Sequence, residues 1–125
     1  MSSGKPGRPG SLSQPAAEYC VLQYVGPGRA AVNVGVLLVD RASDTLYTRM
    51  RADLRNVAKP NEVEVLALLE DDLRSKAGRM GASALLVVLE DGLSSTLRIT
   101  DRQPVEVSSF EEALANLYRQ HVLSQ

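Results

Sequence analysis

Ala31 to Asp40, AVNVGVLLVD, is the segment that most narrows what this chain can become. Its apolar residues fall at both parities, so a strand here has no face to give to water and needs cover on both sides. Glu18 to Val25 (EYCVLQYV) is rich in β-branched and aromatic residues and predicts a strand before it. Gly26-Pro27-Gly28 between them reads as a turn. Arg41 to Thr45 is a polar turn, and Leu46 to Arg51 alternates as a third strand should. Connections this short join neighbouring strands antiparallel, which makes a three-stranded meander.

The period then changes. Leu66, Leu69, Leu73, Ala77 and Met80 recur every three or four residues, predicting a helix that opens at Pro60 and closes at Gly81. Ala82 to Leu93 has the length and Ala/Leu content of a second helix, while Leu85 to Leu89 alone also suits a buried strand. Leu97 to Thr100 and Val105 to Val107 read as short strands around an Asp101 to Pro104 turn. Ser109 and Glu112 form a capping box for a last helix carrying Leu114, Leu117, Tyr118 and Val122. Strands and helices in runs, not alternation, predict an α+β fold: an antiparallel sheet with helices packed on one face.

The 125 residues suffice for one domain, expected over 18–125. Ten of the first seventeen residues are Ser, Gly or Pro, so 1–17 is expected to be a disordered tail. No apolar run follows Lys5 and Arg8 as a secretory signal requires, and none approaches the ~20 residues that span a bilayer. Fourteen Lys and Arg against fifteen Asp and Glu oppose a broad polycationic surface for nucleic acid. A single cysteine, Cys20, permits no intrachain disulfide and fits a reducing cytoplasm.

No assembled catalytic set, metal site or cofactor motif is legible. His121 is the sole histidine and adjoins only Gln120 and Val122, without a positioned partner in sequence. Cys20 shares strand parity with Leu22 and Tyr24, apolar company that suits a structural thiol. Glu70-Asp71-Asp72 point about 100° apart on a helix and so do not converge on a cation. Pairs Glu70–Arg74 and Asp72–Lys76 explain them instead. The Gly26 to Arg29 loop lacks the lysine-terminated spacing of a phosphate cradle.

The candidate binding residues are Asn33, Gly35, Arg49, Arg51, Ser94 and Ser95. An amide inside an apolar strand must find hydrogen-bond partners, or lose about 1–3 kcal/mol. Gly35, at the same parity as Asn33, leaves a gap where something can approach the backbone. Arg49 and Arg51 share a face with Tyr47 and, with Arg55 and Lys59, form the densest basic cluster. Arginine suits bidentate contacts with carboxylate or phosphate, and acidic neighbours in the same fold are the simpler partners. Ser94 to Thr96 is the hydroxyl cluster of the folded part.

The segment EYCVLQYVGPGRAAVNVGVLLVD resembles the opening strands of the bacterial domain-of-unknown-function family 3037, whose N-[VI]-G-[VI] strand corresponds to Asn33-Val34-Gly35-Val36. SSTLRITDRQPVEVSSFEEALANLYRQHV is similar to that family's close, with its E-x-x-L-x-x-L-Y/F pattern at Glu111, Leu114, Leu117 and Tyr118. The resemblance spans about Tyr19 to Val122 and departs in one respect, since this chain has no tryptophan. It implies a small bacterial protein with no established activity, so no catalytic residue carries over. It also implies an accessory companion of other proteins, kinases of the HipA type among them.

Three functions are therefore expected, in this order. The first is a noncatalytic interaction module that docks on itself, as a homo-oligomer, or on another protein. The second is a small-anion or nucleotide-binding regulator using Arg49, Arg51 and Ser94 to Thr96, and the third an unrecognised hydrolase.

Overall fold

The computed structural model describes residues 17–93 and 95–124. The expected tail thus lies outside the described residues except at Ala17, which is fully buried and opens the first strand. β1 (Ala17–Tyr24), β2 (Val32–Asp40) and β3 (Thr45–Met50) form the expected antiparallel meander. β4 (Leu97–Ile99) and β5 (Gln103–Val105) both pair with the free edge of β1, giving a five-stranded antiparallel sheet. Between those two short strands the Thr100 hydroxyl accepts from the Val21 N–H at 2.9 Å, and the Thr100 N–H donates to the Val21 carbonyl at 3.0 Å. The ladder is interrupted there without orphaning the β1 backbone. β5 sits two residues earlier than expected and takes in Pro104, which an edge strand tolerates because the missing N–H is needed by no further neighbour.

Two long helices follow the meander. α1 (Pro60–Met80) has proline in its first turn, and α2 (Ala82–Asp91) resolves the ambiguous segment as a helix. The single residue between them is Gly81, at φ 92°, where a Cβ would collide with the Asp44 carboxylate. Asp44 caps α2 from the β2–β3 turn, its Oδ1 accepting from the Ser83 N–H at 2.8 Å. That bond holds the Asp44 carboxyl below its ordinary pKa. α3 (Phe110–Tyr118) begins at the Ser109 cap, which accepts from the Glu112 N–H at 3.3 Å, and widens into a π-helical turn at Arg119–Leu123.

The fold is α+β, but its helices cover both faces of the sheet, not one. Cys20, Leu37, Val39 and Leu46 meet Leu73 and Ala77 of α1 and Ala82, Leu85, Leu86 and Leu89 of α2. On the opposite side Ala17, Val36 and Leu38 meet Leu117, Tyr118 and Val122. The cause lies in β2, whose apolar residues at both parities need two covers, and the stripe of α3 supplies the second. A third cluster joins Leu22, Tyr24 and Val34 to Leu66 and to Leu54 of a 3-10 turn, Leu54–Asn56. No helix among the described residues is long and apolar enough to cross a membrane.

Candidate functional site

The register of β1 on β2 slips at one place. Leu22 faces Gly35 and Gln23 faces Asn33, so Val34 is a bulge residue. A bulge reverses the alternation beyond it. Asn33 and Gly35, expected on one face, lie on opposite ones. Asn33 turns toward α3, where its Nδ2 donates to the His121 carbonyl at 2.7 Å and its Oδ1 accepts from Gln23 Nε2 at 2.8 Å. Gln23 in turn accepts from Arg98 Nε at 3.0 Å. The Tyr19 hydroxyl lies 3.2 Å from His121 Nε2, with ring centroids 5.3 Å apart. The amide is satisfied within the fold and clasps the π-helical turn to the sheet, so no ligand is needed to explain it. Gly35 faces the other way, where a Cβ would collide with Met50 Sδ and stand 3.1 Å from the Arg49 carbonyl oxygen. What approaches this glycine is β3 of the same domain.

The arginines also find internal partners. The Arg49 guanidinium lies over the Tyr118 ring, 4.7 Å from its centroid. Arg51 donates through Nε and Nη2 to the two carboxylate oxygens of Asp53, each at 2.8 Å. This fork holds the Asp53 carboxyl well below the usual range. Ser95 is exposed before β4, while Ser94 lies outside the described residues. β3 and β4 are separated by β2 and β1, about 14 Å at the usual strand spacing, so Arg49 and Arg51 do not share a strand neighbourhood with Ser95.

Cys20 has no solvent exposure, and burial, reinforced by the Glu90 carboxylate, pushes its thiol up to about 12. Such a thiol is no nucleophile at neutral pH. Ellman's reagent is expected to leave native Cys20 unmodified and to titrate it fully in guanidinium; rapid labelling of the native chain would contradict this burial. Its folded pKa exceeds the unfolded value near 8.5, so the associated stability holds below that pH and declines as pH rises toward 12. Cys20→Ala is expected to flatten that alkaline decline in denaturant titrations.

The acidic run on α1 is also accounted for, with one change of partner. Lys76 pairs with Asp72 at 2.9 Å as expected, but Arg74 turns to Asp71 at 2.7 Å. Glu70 instead accepts from the Thr48 hydroxyl at 2.8 Å in the α1–β3 seam. Among the described residues, no three His, Cys, Asp or Glu side chains converge to hold a metal ion.

Two features remain that the sequence did not single out. One is a set of solvent-facing apolar side chains on the two long helices: Val65 and Leu68 on α1, 61% and 64% exposed, and Val87 and Val88, half-exposed, on α2. Their excess over the core stripe of α1 was visible in the sequence as apolar residues off the Leu66–Leu69–Leu73 spacing. The other is a cavity of about 370 Å³ between the β1–β2 turn and the segment entering α1, lined by Arg29, Arg55 and Lys59. Arg55 and Lys59 stood in the basic cluster, but nothing local joined them to Arg29, 26 and 30 positions earlier in the chain. No family model, curated protein or solved structure matches the chain. Its functional surfaces are those its own residues build.

Proposed function

We propose that this chain is a noncatalytic interaction module that docks through the outer face of α1, and that the surface is used first on a second copy of the chain. The observation that carries it is the exposure of Val65 and Leu68, one helical turn apart and 61% and 64% open to solvent. Adjacent exposed apolar side chains flanked by charge on one helix face favour a docking surface over plain solvent contact.

The charge around them favours self-association. Along the exposed side of α1 the acids Glu64, Asp71 and Asp72 come before the bases Arg74, Lys76 and Arg79. Asp71 and Asp72 already pair with Arg74 and Lys76 on their own helix, so what remains is Glu64 towards one end of α1 and Arg79 at the other. An antiparallel copy related by a two-fold axis near the helix midpoint brings each Glu64 towards the partner's basic end. Two-fold dimers are also the commonest closed assemblies. The resemblance to family 3037, with its accessory companions, agrees with a module that works by contact, and the buried free thiol suits a bacterial cytoplasm.

Sedimentation equilibrium is the test. The wild-type chain is expected to dimerise and to show a concentration-dependent Tm. Val65→Glu with Leu68→Glu is expected to leave it monomeric but still folded, with a Tm that no longer depends on concentration. A wild type that stays monomeric at high micromolar concentration overturns the reading.

A further inference from the structure

The cations of this fold are well occupied. Arg41, Arg51, Arg74, Lys76 and Arg102 sit in ion pairs. Arg79, Arg98 and Arg119 bond neutral side chains, and Arg49 lies on Tyr118. Among the described residues, the cations with no ion pair, side-chain hydrogen bond or ring contact are Arg29, Arg55 and Lys59. All three line the same cavity of about 370 Å³. Tyr24, Pro27 and Val57 form part of its wall, and no carboxylate lines it. The Tyr24 hydroxyl is already engaged with Glu62.

Three cations lining one concavity raise its positive potential and attract an anion, offset only in part by Glu62 behind the Tyr24 wall. A monoanion leaves most of that charge unbalanced, whereas a phosphate dianion offsets it. Its oxygens also match the chemistry at hand, two guanidinium forks and one ammonium point charge. A second hollow of about 360 Å³ adjoins the first, sharing Arg55 and Ala58 and continuing along Pro60 and Val63. That surface is more apolar, and Glu64 on its border repels an anion from that side. The two together present a cationic seat and an apolar shelf on either side of Arg55.

We infer that this double hollow binds a small organic phosphate monoester, its phosphate held by Arg29, Arg55 and Lys59 and its organic group laid along Ala58, Pro60 and Val63. The cavity volume lies within the usual range of ligand pockets, about 300–1,000 Å³. The shelf adjoins the Val65–Leu68 surface proposed for docking, with Glu64 on the border of both, but the cationic seat is built from other residues and stands or falls separately.

The test is a titration of the full chain followed by amide NMR, with phenyl phosphate, inorganic phosphate and phenol as probes. Phenyl phosphate is expected to shift the amides of Gly26, Gly28, Val57 and Lys59 saturably. Inorganic phosphate should do so about tenfold more weakly, and phenol not at all. Arg29→Gln with Arg55→Gln should weaken phenyl phosphate at least about tenfold, while Arg74→Gln leaves it unchanged. Both Arg29 and Arg55 are exposed, and the Tm of the double variant reports whether the fold survives; Arg55→Lys, which keeps the charge, should retain part of the affinity. Absence of saturable shifts, or undiminished binding by the folded double variant, overturns the site. Equal affinity for inorganic and phenyl phosphate overturns the apolar shelf.

Discussion

Leu37→Ala and Leu38→Ala will each destabilise the protein by about 2–5 kcal/mol, although the two residues are neighbours in one strand. Both are fully buried, but they empty different cores. Leu37 packs with Leu73 and Leu86 under α1 and α2, whereas Leu38 packs with Leu117, Tyr118 and Val122 under α3. Urea denaturation measures both values. A sheet covered on one face alone would make one of the two truncations nearly harmless, so a loss well under 1 kcal/mol at either position would contradict the two-sided packing. The two losses should also add in the double variant to within about 0.5 kcal/mol, as expected for groups separated by the sheet.

Gly35→Ala is expected to cost about 1–3 kcal/mol through overpacking, even though it adds a single methyl group. The new Cβ meets Met50 Sδ at once and the Arg49 carbonyl oxygen at 3.1 Å. Methionine is a flexible side chain, so part of the strain can be relieved from its side. The double variant with Met50→Ala should therefore be less destabilised than the sum of its single changes. Strict additivity in that cycle would show that the backbone of β3, and not the thioether, sets the penalty.

The elements with strong local periodicity were legible from residues alone. The three strands of the meander, the stripe from Leu66 to Ala77 and the capped helix after Ser109 all stand where alternation and helical spacing put them. What escaped is what depends on partners distant in the chain. The bulge at Val34 leaves no mark in composition, since valine fits either a regular strand or a bulge, yet it sends Asn33 to one face and Gly35 to the other. The second layer was implied by the apolar residues of β2 at both parities, but a pattern of strands followed by helices does not say on which side each helix returns. The same limit hid the cavity. Arg29 looks like a turn residue until folding brings it beside Arg55 and Lys59.

The edge of β1 opposite β2 has a consequence for how the chain is made. β1 and β2 are adjacent in sequence and can pair as soon as both have left the ribosome. The residues that close the other edge of β1, Leu97–Ile99 and Gln103–Val105, arrive some 80 positions later, as the separation of 79 between Val21 and Thr100 records. Until then β1 offers an open row of backbone donors and acceptors, a template for pairing with any other unfinished copy. Loops of that length also close slowly compared with a hairpin. A chain ending after α2 lacks β4, β5 and α3, so it exposes both that row and the apolar face of Ala17, Val36 and Leu38. Truncated products of this chain are therefore expected to aggregate through β1, while the last thirty residues act as the seal that makes the finished domain safe.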